Sequence, residues 1–173
     1  MRRFLPLLSL VLVALTACMS SSAPATDPQG WTRYQGEKLG YSLALPSDWS
    51  AEEDEDSLRY VGGTPTTVLS VFRSVEQFDT LWAALAARDK AAETGWEGQP
   101  SLKVLTTQKS TIGEELVVER REEYLAAGLT VVATYFLHDG RLYGFSSRPD
   151  GADVISDSQI MVHQQIMSTV RWL

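Results

Sequence analysis

The feature that most constrains the fold is a single cysteine, Cys18, which follows a short apolar stretch near the start of the 173-residue chain. Without a second cysteine, the chain can form neither an internal disulfide nor a metal site built from several thiolates. The 143 residues from Trp31 to Leu173 must therefore be held together by core packing alone. A chain of this size buries roughly two-thirds of the surface that its unfolded form exposes, so we expect a compact domain without covalent cross-links.

The first 17 residues have the three parts of an export signal. Two arginines come first, an apolar run extends from Phe4 to Ala14, and small residues precede Cys18. A transmembrane helix needs about 20 apolar residues, and this run is too short. The sequence therefore predicts a signal peptide over residues 1–17 that is removed on export.

The four residues Leu15-Thr16-Ala17-Cys18 resemble the lipobox of bacterial lipoproteins. The resemblance implies a diacylglyceryl thioether on Cys18, cleavage before this residue and acylation of the new N-terminus. Two or more acyl chains hold a protein stably at a membrane, whereas one does not. We expect an exported protein, lipid-anchored to the bacterial cell membrane or outer membrane, with its domain outside the cytoplasm. The alternative is a plain secretory signal followed by an incidental thiol.

Residues 18–30 form the predicted lipidated tether, in which Asp27 is the only charge. Ser, Ala, Pro and Gly dominate the segment, which shows neither helical nor strand periodicity. Removal of the leader leaves 13 basic and 22 acidic residues, a formal charge of −9. An acidic surface repels nucleic acid and anionic headgroups. We therefore expect no nucleic-acid partner, and attachment to the membrane through the lipid.

Apolar alternation and turn signals predict a mostly antiparallel sheet within one domain, residues 31–173. Asp139-Gly140 is the strongest hairpin signal, because a type I′ turn needs positive φ at both central residues. The predicted strands are Trp31–Gln35, Tyr41–Leu45, Leu58–Val61, Thr67–Arg73, Leu102–Ser110, Glu115–Leu125, Thr130–His138 and Arg141–Ser147.

Two helices are predicted against this sheet. The first begins at Ser74, which has Gln77 at the spacing of a capping box, and it ends at Gly95. The second extends from about Asp153 to Arg171. An antiparallel sheet flanked by helices is an α+β fold, arranged as a layered sandwich.

Two segments, Gly40–Trp49 and Ile166–Leu173, resemble the opening strand with its Pro-x-x-Trp turn and the last helix of PsbP-like domains. That family includes a photosystem II extrinsic subunit, a nuclear Ran-binding import factor and the DcrB envelope lipoprotein. The resemblance implies an α/β/α sandwich that binds or supports other proteins without a shared enzymatic site. The expected function is a non-enzymatic binding or accessory module, a PsbP-like (DcrB-like) lipoprotein that meets a protein partner near the membrane.

Two features are candidate partner-binding sites. The acidic run Glu52-Glu53-Asp54-Glu55-Asp56 lacks the residue spacing of a calcium loop. It is predicted to be a solvated loop, with docking of a basic partner or binding of a metal as alternatives. Trp96 lies between glycines in a second predicted loop and is a candidate contact residue. No cofactor and no metal site is predicted.

No catalytic residues are predicted, and the chain is not expected to be an enzyme. It has no Gly-x-Ser-x-Gly elbow and no glycine-rich phosphate loop. Of the two histidines, His138 is expected to be exposed beside a turn and His163 to be structural in the last helix. Two alternatives stay open: a carrier for a small ligand or divalent cation in a sheet-and-helix cleft, and a divergent hydrolase.

Charges of both signs meet in Glu119-Arg120-Arg121-Glu122-Glu123. Period-two geometry puts Arg120 and Glu122 on one face of a strand together with Leu116, Val118 and Tyr124. The pattern predicts cross-strand ion pairs near a solvated face of the sheet.

Overall fold

The computed structural model describes residues 26–53, 58–95 and 98–173. Helices and antiparallel strands are both present, which confirms the predicted α+β class. In chain order the elements are β1 (Trp31–Gly36), β2 (Tyr41–Pro46), β3 (Ser50–Glu53), β4 (Leu58–Gly62), β5 (Thr67–Gln77), α1 (Leu81–Thr94), β6 (Leu102–Ile112), β7 (Glu115–Tyr124), β8 (Leu129–His138), β9 (Arg141–Pro149), α2 (Asp157–Met167) and β10 (Arg171–Trp172).

The strands form two antiparallel sheets. The large sheet has the order β3-β4-β5-β9-β8-β7-β6, and the small sheet has the order β1-β2-β10. Helix α1 packs on one face of the large sheet, where Leu85 joins Val118 and Tyr135 in a buried cluster. Helix α2 and the small sheet cover the other face. This is the predicted sandwich, except that the opening hairpin lies in a sheet of its own.

The main core lies between the small sheet and the large one. Strand β2 directs Tyr41 and Leu43 onto Phe136 and Phe145, and Ile166 of α2 completes the cluster. The rings pack edge to face, with 5.2 Å between the centroids of Tyr41 and Phe145. Burial of these apolar side chains is the main stabilising contribution to the fold.

The predicted start of the first helix is wrong. Strand β5 continues to Gln77, and α1 begins after Thr80, whose Oγ1 accepts a hydrogen bond from the Ala83 N–H at 3.1 Å. Ser74 does not cap a helix, because its Oγ accepts a bond from the Leu142 N–H of β9 at 2.9 Å. The predicted stop at Gly95 is confirmed, since this residue is the C-cap.

The predicted last helix is too long at both ends. A capping box between Ser156 and Gln159 fixes its start. Beyond Met167 the chain turns and forms β10, in which Arg171 pairs with Ser42 of β2. The segment 166–173, assigned by resemblance to a helix, therefore ends as a strand. A two-residue strand forms because one edge of β2 is available for pairing. No local sequence pattern indicates this pairing.

The predicted Asp139-Gly140 turn is confirmed. Asp139 has a φ of 48° and Gly140 a φ of 73°, as a type I′ turn requires. The turn joins β8 to β9, the central pair of the large sheet.

Asp27 bonds the start of the described chain to the face of the small sheet that points away from the core. Its carboxylate accepts hydrogen bonds from Arg33 Nε at 2.8 Å and from Arg171 at 3.3 Å. The Arg33 hydrogen bond lowers the pKa of Asp27. Arg33 lies in β1 and Arg171 in β10, the two edges of this sheet. Asp27, four residues before Trp31, is therefore bonded to the folded domain.

Gly62 is expected to be intolerant of a side chain. A Cβ built on it would lie 2.5 Å from Trp49 Cγ and 2.7 Å from Trp49 Cα, so part of the backbone would have to move. We expect Gly62→Ala to lower the free energy of unfolding by about 1–3 kcal/mol, as overpacking does, measured by urea denaturation. Gly144→Ala is the comparison, because the three atoms nearest to its Cβ all belong to the side chain of Phe72, which is 39% exposed and can turn into solvent. Equal losses for the two variants would contradict this account.

No helix within the described residues is both long enough and apolar enough to cross a bilayer.

Candidate functional site

Most predicted site residues fall outside the described part of the chain. Cys18, residues 54–56 of the acidic run and Trp96 all lie there. Lipidation and partner contacts at these positions stay predictions.

The two described residues of the acidic run lie in a strand. Glu52 is exposed, and it pairs with Arg59 where β3 runs beside β4. The predicted loop is therefore wrong for Glu52 and Glu53. The backbone pairing with β4 outweighs the low strand propensity of glutamate.

His163 is buried and hydrogen-bonded to two hydroxyls. Its Nδ1 lies 2.7 Å from Ser147 Oγ, and its Nε2 lies 2.8 Å from Thr134 Oγ1. Burial lowers the pKa of His163 to about 3, so the ring is neutral at neutral pH. The residue is structural, as predicted. Since His163 is only 1% exposed and Ser147 is fully buried, a substrate cannot reach this Ser–His pair.

His138 differs from its prediction because it is half-buried. Its ring stacks on Trp172 with 4.2 Å between centroids, and Nδ1 lies 3.6 Å from a Glu115 oxygen. Among the described residues, no group of three or more His, Asp, Glu or Cys side chains is arranged to hold a metal.

A charged cluster is buried between α1 and the large sheet. Glu122 is 0% exposed, and its two carboxylate oxygens accept hydrogen bonds from Arg88 at 3.0 and 2.8 Å. The Tyr135 hydroxyl donates to the same carboxylate at 2.9 Å. Burial raises the pKa of Glu122, although Arg88 and Tyr135 favour its charged form. The bidentate geometry is that of a strong ion pair.

A second bidentate pair adjoins the first. Arg120 donates to Asp89 at 2.6 and 3.0 Å, and its guanidinium lies 5.9 Å from the centre of the Tyr135 ring. Arg120 and Glu122 share a face, as predicted, but that face is not solvated, because α1 covers it. The sequence did not reveal that the adjacent residues Arg88 and Asp89 of α1 supply the opposite charges. Each charged group of the cluster has an oppositely charged partner, and Asp89 is the member most exposed to solvent, so we assign the cluster to stability.

A pocket of about 210 Å³ opens between the turn after β2, the β4–β5 turn and the first turns of α2. Sequence analysis did not predict it, although it includes the tryptophan of the Pro-x-x-Trp turn. Exposed residues form its rim and buried ones its floor. Its apolar walls are Pro46, Pro65 and Val162, and its polar groups include Asp48, Trp49 and Ser158.

The indole of Trp49 is the unusual group in this pocket. Trp49 is 3% exposed, and its Nε1 has no hydrogen-bond acceptor among the described residues. A buried donor without a partner costs about 1–3 kcal/mol. The ring is held in place, since Gly62 packs against it and the Trp49 carbonyl accepts a bond from Tyr34 at 3.0 Å. The indole is therefore a buried and fixed part of the pocket wall.

Asp48 supplies the complementary acceptor at the rim. It is exposed, and one of its carboxylate oxygens accepts a bond from the Gly63 N–H at 3.2 Å. A carboxylate can accept about four hydrogen bonds, so capacity for a ligand donor is left. The pocket thus combines an exposed carboxylate, hydroxyl and amide side chains, and apolar walls.

No protein-family model matches the sequence, and no curated protein matches it. Solved structures do match. The solution structure of the cyanobacterial PsbP protein CyanoP from Synechocystis has a TM-score of 0.59 and 13% identity, and the match covers 92% of this chain and 99% of that one. The domain has a PsbP-like fold.

Other proteins have a similar fold. The PsbP-like domain also matches the Saccharomyces cerevisiae Ran-binding protein Mog1p, with a TM-score of 0.54, 10% identity, and coverage of 82% of this chain and 95% of that one. A Pseudomonas aeruginosa protein of unknown function has a TM-score of 0.51 and 16% identity, with coverage of 80% and 94%. Such low identities establish the fold and leave the function to be argued from this chain's own residues.

Proposed function

We propose that this protein is an envelope lipoprotein, anchored through Cys18, whose PsbP-like domain binds a protein partner close to the membrane without catalysing a reaction. The observation that carries the anchoring is the sequence Leu15-Thr16-Ala17-Cys18 directly after an apolar leader. Partner binding is supported by the fold, since one solved protein of this fold is named for binding Ran.

The described structure limits how far the domain would lie from its anchor. Asp27 is hydrogen-bonded to the domain, and eight residues, 19–26, separate it from Cys18. The nine residue-to-residue steps from Cys18 to Asp27 span about 30 Å at most. A partner would therefore bind at the membrane surface, and it would itself be an integral or peripheral membrane protein.

Replacing Cys18 should abolish lipidation. We expect wild-type protein from its native host to carry acyl groups on an N-terminal Cys18 and to incorporate labelled palmitate, whereas Cys18→Ala should incorporate none and should retain its leader. Mass spectrometry of the N-terminal peptide measures both. Ser20→Ala is the matched control and should be lipidated like the wild type. An unmodified Cys18 thiol in the wild-type protein would overturn the anchoring.

Partner binding is tested with the anchored protein in place. Photo-cross-linking from Ser158, an exposed residue on the pocket rim, should give one dominant adduct in membranes. The same cross-linker at Ser168, an exposed residue at the other end of α2, is the control position. Adducts that are the same from both positions, or none from Ser158, would contradict a partner at this surface.

A further inference from the structure

A second pocket, of about 280 Å³, lies between the end of α2 and strands β6 and β7 of the large sheet. Its floor is buried and mostly apolar: Val117 and Met167 are each 1% exposed, and the Thr134 hydroxyl is already bonded to His163. Pockets that hold small ligands have volumes of about 300–1,000 Å³. This pocket therefore has the size for a ligand with few non-hydrogen atoms.

The charge of the pocket comes from one carboxylate. Among the described residues that line the pocket, Glu119 alone is charged. Its two oxygens accept hydrogen bonds from Nε2 of Gln164 at 3.0 and 3.1 Å, in an exposed position that a ligand can reach. A carboxylate can accept about four hydrogen bonds, so two sites remain. The neutral amide thus holds the carboxylate in place without cancelling its charge.

The groups around this carboxylate also favour a positive charge. Gln108 and Ser110 are exposed, and their side-chain oxygens can accept further hydrogen bonds. Gln164 is in the last turn of α2, the end at which the helix dipole favours cations. Arg121, on the same face of β7, is bonded to Asp157 at 3.3 Å and does not line the pocket.

We propose that this pocket binds a small organic cation, a free molecule in which a short alkyl chain carries a primary ammonium group. The ammonium would donate to Glu119 and Ser110, and the alkyl chain would lie on Val117 and Met167. The proposed partner surface is at the other end of α2, around Ser158. The cation site therefore goes beyond partner binding and does not rest on it.

The chemistry of the pocket disfavours other ligand classes. An anion would be repelled by Glu119 on a protein of net charge −7. A metal ion would find a single carboxylate, since the described residues contain no group of three or more metal-ligating side chains. A neutral ligand would make a weaker hydrogen bond to the carboxylate than a charged donor.

An ammonium fits better than a guanidinium. A guanidinium pairs with a carboxylate through two parallel bonds, one to each oxygen. At Glu119, Nε2 of Gln164 already bridges the two oxygens, so that approach is occupied. An ammonium is a compact donor and needs only one of the remaining sites.

The side-chain amide of Gln164 reports binding. We would titrate the full-length, ¹⁵N-labelled protein in uncharged detergent micelles at pH 7 with n-butylammonium chloride, and in parallel with 1-butanol and with sodium butyrate. These three probes share their alkyl chain and differ in charge. Butylammonium should shift the Gln164 amide resonances saturably, whereas butanol and butyrate should not. Gln164→Ala lacks this amide and assigns the resonances.

Glu119 provides the second readout. Glu119→Gln should weaken butylammonium binding about tenfold, because a hydrogen bond between two charged groups is stronger than one to a neutral acceptor. Glu123→Gln is the matched control, since it removes the same charge from the same face of β7 at a residue that does not line the pocket. It should leave the titration unchanged. If Glu119→Gln does not fold, the comparison of the three probes in the wild type still decides.

Cross-linking separates a free amine from a lysine side chain of the partner. Ser168 follows the pocket residue Met167 and is exposed, so a cross-linker at Ser168 would capture a partner whose lysine filled this pocket. We expect no dominant adduct from Ser168. An adduct that butylammonium competes away would assign the cation to the partner and overturn the free ligand.

Three results of the titrations would also overturn the proposal. They are Gln164 resonances that ignore butylammonium, equal responses to butylammonium and to butanol or butyrate, and equal binding by Glu119→Gln and Glu123→Gln. Each is independent of lipidation and of cross-linking from Ser158. A failed titration would remove the cation site and leave the anchored binding module standing, while an unmodified Cys18 would do the reverse.

Discussion

Replacing Glu122 with alanine is expected to lower the free energy of unfolding by about 3–5 kcal/mol, because it leaves the buried guanidinium of Arg88 without its partner. The carboxylate is fully buried and binds Arg88 through both oxygens. Tyr135 loses its acceptor in the same variant. Urea denaturation followed by circular dichroism measures the change. Glu123→Ala, one residue along the same strand and on its opposite face, is the matched control and should change stability by under about 1 kcal/mol.

The loss of stability in Glu122→Ala should come from the unpaired buried charge of Arg88 rather than from the missing attraction between the two side chains. A double variant, Arg88→Leu with Glu122→Leu, removes both charges and should recover much of the loss, since buried ion pairs are often replaceable by apolar residues. With the single variants Arg88→Leu and Glu122→Leu, it closes a double-mutant cycle that gives the interaction energy of the two side chains. If the double variant is less stable than the two single losses added together, the account of this cluster is wrong.

Acidification is expected to destabilise the protein through His163. The pKa of the buried ring is about 3, while an unfolded histidine has a pKa near 6.5. Between these values the unfolded chain binds a proton that the folded one does not, so stability is unaffected above about pH 6.5 and falls below it. The slope is about 1.4 kcal/mol per pH unit for this one residue, continuing to about pH 3.

The difference between two variants isolates this contribution from that of the carboxyl groups. His163→Gln should be less stable than wild type at pH 7, because it disturbs the bonds to Ser147 and Thr134, but it should lose less stability between pH 6.5 and pH 4. The comparison variant is His138→Gln, at the half-buried histidine on Trp172. Urea midpoints measured at half-unit steps of pH test this. Parallel curves for wild type and His163→Gln would contradict the assignment.

Local signals in the sequence predicted the hairpins well. Asp139-Gly140 can adopt the turn that joins β8 to β9, and the alternation around it predicts both strands. Ser74 shows the limit of such signals. Both Ser74 and Thr80 can cap a helix, and the choice is made by the Leu142 N–H of a strand that follows much later in the chain. Hydrophobic periodicity and residue propensity are local signals and cannot indicate that contact.

The charged cluster shows a second limit. The two-residue side-chain period of a strand correctly placed Arg120 and Glu122 on one face. Because both are charged, however, that face was predicted to be solvated. Only the docking of α1 brings Arg88 and Asp89 opposite them. The Trp49 pocket could not be predicted for a related reason, because its walls come from the turn after β2, the β4–β5 turn and α2. Such a pocket exists only once the fold has brought these segments together.

The Asp27 bonds join the beginning of the described chain to its end. The carboxylate contacts Arg33 in the first strand and Arg171 in the last, a separation of 144 residues for the longer bond. Proteolytic trimming that stops before Asp27 would leave this closure intact. A cut just after it would remove the closure, and within the described residues β10 would then be held as a strand by its two residue pairs with β2. The position of a cleavage within a few residues thus decides whether the last strand keeps this support.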